Sequence, residues 1–151
     1  MIIALDDPTG ADVRPLLEEH LRDMWATSPP ESVHALEPET LAGPDIAFFT
    51  VRDDGMVIGC GALKHLSDTH GELKSMRTST EARGRGVASS LLDHLLAVAR
   101  ERGYERVSLE TGAEDYFEPA RRLYARYGFT PCAPFADYTD DPNSVYLSRA
   151  L

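Results

Sequence analysis

Apolar positions along the chain keep two rhythms, one at helical spacing and one in short β-branched and aromatic runs. The strongest helical signal covers residues 84 to 102. There Val87, Leu91, Leu92, Leu95, Val98 and Ala99 form a continuous stripe, and Gly103 stands at the expected C-terminal stop. A second helix is predicted from a cap at Thr9 or Asp12 to about Thr27, with Leu17, Leu21, Met24 and Trp25 on one face. Pro15 fits only in its first turn, and Ser28-Pro29-Pro30 ends it. A third runs from Pro119 to Tyr127 and stops at Gly128. Strand signals fall at Met1 to Leu5, Ile46 to Arg52, Met56 to Leu63, Glu72 to Thr78, Arg106 to Glu110 and Ser144 to Leu151. Asp53-Asp54-Gly55 reads as the turn of a hairpin. The segment before Glu72 reads as a polar loop, residues 31–45 as loop or short helix, and residues 131–143 as an extended excursion. A hairpin followed by alternating strand and helix predicts an α/β (mixed α+β) chain, a mixed sheet flanked by helices.

Composition narrows the class. The 151 residues fit one domain, 1–151, and a chain of this size buries roughly 70% of its surface on folding. With 42% hydrophobic and 26% charged residues it is neither a disordered tail nor a disulfide scaffold. No apolar run approaches the roughly 20 residues of a membrane span, and the first residues lack the basic start of a secretory signal. The net charge of −10 opposes binding to nucleic acid phosphates and anionic lipid, and favours cationic partners such as amines. The two cysteines, Cys60 and Cys132, lie far apart with no metal-ligand spacing around them. Both are expected as small apolar residues in a reduced, cytoplasmic protein, with no metal site.

One segment conflicts with its own electrostatics. Between the strand ending at Thr78 and the strong helix lie Arg83-Gly84-Arg85-Gly86, followed by Val87-Ala88-Ser89. A helix N-terminus carries unpaired N–H groups and about half a positive charge, so arginines there are unfavourable unless an anion sits between them. The glycines let backbone approach such an anion closely. The segment therefore points to a phosphate ligand. It lacks the Gly-Lys-Ser/Thr of a P-loop, and its glycines are wrongly spaced for a dinucleotide fingerprint, although Glu110 would stand on the next strand.

Arg83-x-x-Gly86-x-Ala88 after a strand resembles the acetyl-coenzyme A signature of the GNAT N-acetyltransferases, and Ala120-x-x-Leu123-Tyr124 leading to Gly128-Phe129 resembles the same family's second signature. The resemblance is close from about Ile46 to Gly128 and looser before that. It implies a largely antiparallel twisted sheet, acetyl-CoA as cosubstrate and a primary amine of a small molecule or peptide as acceptor. Dimers are in keeping with that family. It further implies that the strand end Met76 to Thr78 meets the pantetheine arm and thioester, and that Arg83, Gly84, Arg85, Gly86, Val87, Ala88 and Ser89 hold the pyrophosphate. Where the family often has an Asn three residues before the Ala of the second motif, this chain has Phe117.

Acetyl transfer to an amine needs a base, because an ammonium of pKa ~10.4 is not nucleophilic. By the resemblance Tyr124 is the acid beside the leaving sulfur, and Glu72 the base. A phenol of pKa ~10 is a weaker acid than a thiol of ~8.5, so Tyr124 is expected to act mainly by hydrogen bonding to the thiolate. His34, on the early loop, is the rival base because histidine titrates near neutral pH. His65, His70 and His94 show no partner pattern, and Tyr104, Tyr116, Tyr127, Tyr138 and Tyr146 are expected in packing or at a rim. The alternative to an enzyme is a non-catalytic acyl-CoA-binding or sensing domain.

Overall fold

The computed structural model describes residues 1–151 as a seven-stranded sheet with helices on both faces. Its elements are β1 (Ile2–Leu5), α1 (Arg14–Thr27), α2 (Pro38–Leu41), β2 (Ile46–Asp53), β3 (Met56–Ser67), β4 (His70–Thr78), α3 (Val87–Glu101), β5 (Arg106–Gly112), α4 (Glu118–Arg126), β6 (Thr130–Pro131) and β7 (Ser144–Ala150). The sheet order is β1-β2-β3-β4-β5-β7-β6. Every neighbouring pair is antiparallel except β4 and β5, which run parallel and are joined through α3.

Alternation sorts each strand's residues between the two faces. On one face Phe49, Leu63, Leu73, Val107 and Leu109 pack under the α3 stripe of Val87, Leu91, Leu92 and Leu95, together with Leu123 and Tyr124 of α4. On the other, Phe48, Cys60 and Ala62 pack under Val13, Leu16 and Leu17 of α1. The hairpin turn forms as expected, with Asp54 and Gly55 at φ 51° and 79°, the left-handed pair that a two-residue hairpin requires.

Three sequence expectations are corrected. The buried face of α1 is Leu16, Leu17 and His20, not a stripe reaching Trp25, which is 56% exposed. Apolarity alone drew Trp25 in; spacing from Val13 selects His20 instead. No cap at Thr9 or Asp12 holds the helix, which follows Val13 without a side-chain cap. The polar loop before Glu72 shrinks to a tight turn, because β3 extends to Ser67 and β4 begins at His70.

Two irregularities open the sheet. Cys60 pairs with Arg77 and Ala62 with Lys74, so Gly61 alone faces the two residues Ser75 and Met76. This β-bulge holds Ser75 at φ 55° and bends β4. The parallel pairing of β4 with β5 stops at Leu73 and Leu109, whereas β5 stays paired with β7 as far as Gly112. Beyond Leu73 the two parallel strands part at their carboxyl ends, where open α/β sheets form ligand crevices.

Candidate active site

The gap between β4 and β5 is part of one cleft of about 660 Å³. One end is lined by Gly84, Gly86, Val87 and Ser89 at the start of α3, and by Ala120 and Tyr124 of α4. The other end, across the sheet, is lined by His20 and Met24 of α1, by Ser32 and His34, and by Tyr138. Met76, Thr78, Arg83 and Ala88 also line it, so most of the binding residues expected from sequence are brought together. The exception is Arg85, which does not line the cleft and instead reaches Asp53 at 2.6 Å; the side chain of Met76, besides lining the cleft, packs against the core under α3. The Asp53 pair relieves part of the charge conflict at the helix start; Arg83 makes no ion pair.

Gly84 and Gly86 stand at φ 79° and 77°, and nothing lies within 4 Å of where their Cβ atoms would be. The first helical hydrogen bond of α3 is Ser90 N to Gly86 O, and no side chain caps the helix. The N–H groups of its first turn therefore face the cleft end without helical partners, as an anion-binding helix start requires. The strand gap, the glycine conformations and this uncapped start fit acetyl-CoA, its pyrophosphate at residues 84–89 and its pantetheine arm between β4 and β5. Phe117 packs over Gly112, where any Cβ would overlap its ring, so an apolar ring occupies the place of the family's Asn.

Tyr124 is 6% exposed and stacks edge-on to Phe129 at 5.7 Å. Its hydroxyl enters none of the protein's side-chain hydrogen bonds, and burial, then the nearby Glu110 carboxylate, push its pKa above the ordinary value. It stays protonated at neutral pH and is free to donate. Glu72 is 2% exposed, not at the surface. Its Oε2 accepts from Lys74 Nζ at 3.2 Å and from the Tyr138 hydroxyl at 2.6 Å, and Lys74 also donates to that hydroxyl at 2.8 Å. Tyr138, expected only as a packing residue, closes this triangle from the 131–143 loop, and burial, then Glu72, raise its pKa. His34 packs edge-on against Tyr138 at 5.1 Å. Burial, then the Lys74 charge, lower its pKa, and its Nε2 is buried without a partner.

The structure adds a group the sequence had marked only for a different fold. Glu110, on β5 just past the last β4–β5 pair, lines the same cleft. Burial pushes its pKa up to about 7; the 2.7 Å hydrogen bond from Ser144 and the Lys74 charge offset part of that rise. A carboxyl poised near neutrality takes a proton from an amine far better than an ordinary one. No sequence signal marked it for this role, because its place one residue past the last β4–β5 pair is set by the sheet and not by the local chain.

The acetyltransferase (GNAT) family model matches residues 11–129. The chain belongs to the GNAT family. This GNAT is 52% identical over 151 residues to the uncharacterized N-acetyltransferase YsnE of Bacillus subtilis (strain 168), covering 100% of both chains. It is 47% identical over 149 residues to the uncharacterized N-acetyltransferase YedL of Escherichia coli (strain K12), covering 99% of this chain and 94% of that one. A crystal structure from Klebsiella pneumoniae, provisionally described as an acyl-CoA N-acyltransferase, superposes with a TM-score of 0.80 at 29% identity, covering 99% of this chain and 97% of the other. The mixed, mostly antiparallel sheet expected from the resemblance is the sheet observed. As a GNAT the chain is an acetyltransferase that uses acetyl-CoA as cosubstrate, and the non-catalytic alternative is not favoured. No helix is long and apolar enough to cross a membrane.

Proposed function

We propose that this GNAT acetylates a small primary amine bound on the α1 side of the sheet, with Glu110 as general base and Tyr124 as donor to the leaving sulfur. The observation that carries the base is the place of Glu110: it lines the cleft one residue past the last β4–β5 pair, where the strand gap opens, and burial there raises its pKa. Bound acetyl-CoA supplies the activated acetyl group. Backbone at Met76–Thr78 and residues 83–89 hold its arm and pyrophosphate. Glu110 takes the ammonium proton, so that the free amine attacks across the gap. The Tyr124 hydroxyl then hydrogen-bonds the developing thiolate from the α4 side.

Glu72 is better suited to hold Lys74 and Tyr138 than to serve as base, because its Oε2 already accepts from both. His34 is a poorer base, since burial and Lys74 oppose its charging. A reducing compartment suits the two free cysteines, and on that ground the reading includes a cytoplasmic location.

The test is thiol release from acetyl-CoA over a panel of primary amines, with pH profiles of wild type, Glu110→Gln and Glu72→Gln. Activity in the wild type should rise through a limb near pH 7. Glu110→Gln should lose that limb and about 10²–10⁴ in turnover. A limb that survives in Glu110→Gln and disappears in Glu72→Gln returns the base to Glu72.

A further inference from the structure

On the α1 side of the cleft one cation, Lys74, stands among three carboxylates, Glu72, Glu110 and Asp141, that act on the same groups. Lys74 projects into the cleft with its side chain only 9% exposed. An ammonium has three N–H donors. Two of these go to Glu72 and Tyr138, and the third has no partner in the protein. Four residues that line the cleft each carry a buried side-chain atom without a partner: His34 Nε2, Ser75 Oγ, His20 Nδ1 and Arg77 Nε. The first two belong to residues next to Lys74 in the chain or facing it through Tyr138. Ser75 is the residue held at φ 55° in the β4 bulge, so backbone strain is accepted at the residue whose hydroxyl is left unpaired. Arg77, the other cation on this stretch of strand, gives both terminal guanidinium nitrogens to Glu19, Asp23 and Tyr116 and lies on the α1 side with its charge balanced by the two carboxylates. The cleft thus sets unused donors around Lys74 on β4 and a proton-accepting carboxyl, Glu110, on β5, within Coulombic reach of each other.

We propose that the acceptor is a zwitterion of the amino-acid type, its carboxylate held by Lys74, Ser75 and His34 while its amine faces Glu110. The inference rests on the transferase reading above and specifies its substrate class. A carboxylate takes up the third N–H of Lys74 and the orphaned Ser75 and His34 groups together, and charge-assisted bonds of that kind are the stronger ones. A polyamine brings a second cation toward Lys74. An amine without an anionic group leaves the third Lys74 N–H and the Ser75 hydroxyl unpaired, together with His34 Nε2, which donates in the tautomer that carries its proton there, and a site built with such groups discriminates strongly against ligands that cannot use them.

The experiment compares α-amino acids of several side-chain sizes with their carboxamides and their decarboxylated amines, by thiol release from acetyl-CoA. The amino acid should lead each matched set by at least tenfold in kcat/KM, mostly through KM. That preference runs against intrinsic reactivity, because the carboxamide's amine loses its proton more easily. Lys74→Met should bring the ratio to near one, and Lys74→Arg should retain part of it. A thermal shift with acetyl-CoA establishes that each variant is folded. On the wild type, the deaminated acid should inhibit competitively with the acceptor. Amines acetylated without preference for the carboxylate, or a preference that persists in folded Lys74→Met, overturn the inference and leave the transferase reading standing. Calorimetric binding of the amino acid to the coenzyme A complex without turnover supports the carboxylate site and overturns the assignment of Glu110. Neither binding nor turnover across the panel overturns both.

Discussion

Tyr124 and Glu110 show how a residue's neighbours set its chemistry. Tyr124 sits in the main core, yet its hydroxyl has no partner there. Tyr124→Phe should therefore change stability by no more than about 1 kcal/mol. Coenzyme affinity should be nearly unchanged, since the contacts proposed for the pyrophosphate and pantetheine run through backbone at residues 76–78 and 83–89. Turnover should fall at least tenfold, toward the lower part of the general-acid range of about 10²–10⁴, because water also protonates a thiol of pKa ~8.5. A wild-type kcat would leave Tyr124 as a packing residue. Glu110 carries a stability signature too. Folding raises its pKa from the ordinary 4.5 to about 7, with Ser144, Lys74, Glu72 and Asp141 as the groups acting on it after burial. Between those values the folded state holds a proton that the unfolded chain has released, so stability falls as pH rises through that window. Glu110→Gln removes the effect. It should match wild type near pH 4 and exceed it at pH 8, by about 3 kcal/mol at most, in denaturant titrations at the two pH values.

At the scale of elements, the start of α3 is where the proposed coenzyme site meets the helix. Its stripe of Val87, Leu91, Leu92 and Leu95 anchors the helix to the sheet, while Gly86 at φ 77° leaves the first turn open. Acetyl-CoA at roughly 100 times its dissociation constant should stabilise the fold by about 2.7 kcal/mol. Gly86→Glu should abolish that gain, because it places an anion where the pyrophosphate belongs and strains a left-handed position. A preserved thermal shift in this variant would remove residues 83–89 from the binding site. The β4 bulge, at Ser75 and Met76, lies just past Leu73, where β4 and β5 part beside the space into which the α3 start faces.

At the scale of the whole molecule, Arg77 ties separate parts together. Its guanidinium reaches Glu19 and Asp23 of α1, the latter at 2.6 Å, and the Tyr116 hydroxyl at 3.0 Å. Arg77 is 7% exposed as a residue, so Arg77→Met leaves two carboxylates without their cation and should cost about 3 kcal/mol in a denaturant titration. The acid limb should change as well. The Arg77 hydrogen bond lowers the pKa of Glu19; burial acts to raise that of Asp23, but the bond and charge of Arg77 outweigh it. Lowered carboxyl pKa values add stability above the unfolded value, and that stability is lost as pH falls through the folded one. Arg77→Met should flatten this loss below about pH 4; an unchanged acid limb would mean that the cluster contributes little.

The sequence by itself determined the elements whose signals are local. The α3 stripe, the Asp54-Gly55 turn and the Gly84 to Gly86 loop each follow from spacing or backbone freedom within about 20 residues of chain. Both family signatures lie on such elements, which is why the fold and the acetyl-CoA chemistry were legible. Only the tertiary structure decided the acceptor side. Glu72, Lys74 and Tyr138 form one hydrogen-bonded group although Tyr138 is 66 residues from Glu72 in the chain. His20 replaces Trp25 on the inner face of α1 because that face is set by what the sheet offers, not by apolarity. The proton affinity of Glu110 comes from burial on β5 beside Ser144 of β7 and Glu72 and Lys74 of β4, and burial is a sum over contacts distant in sequence.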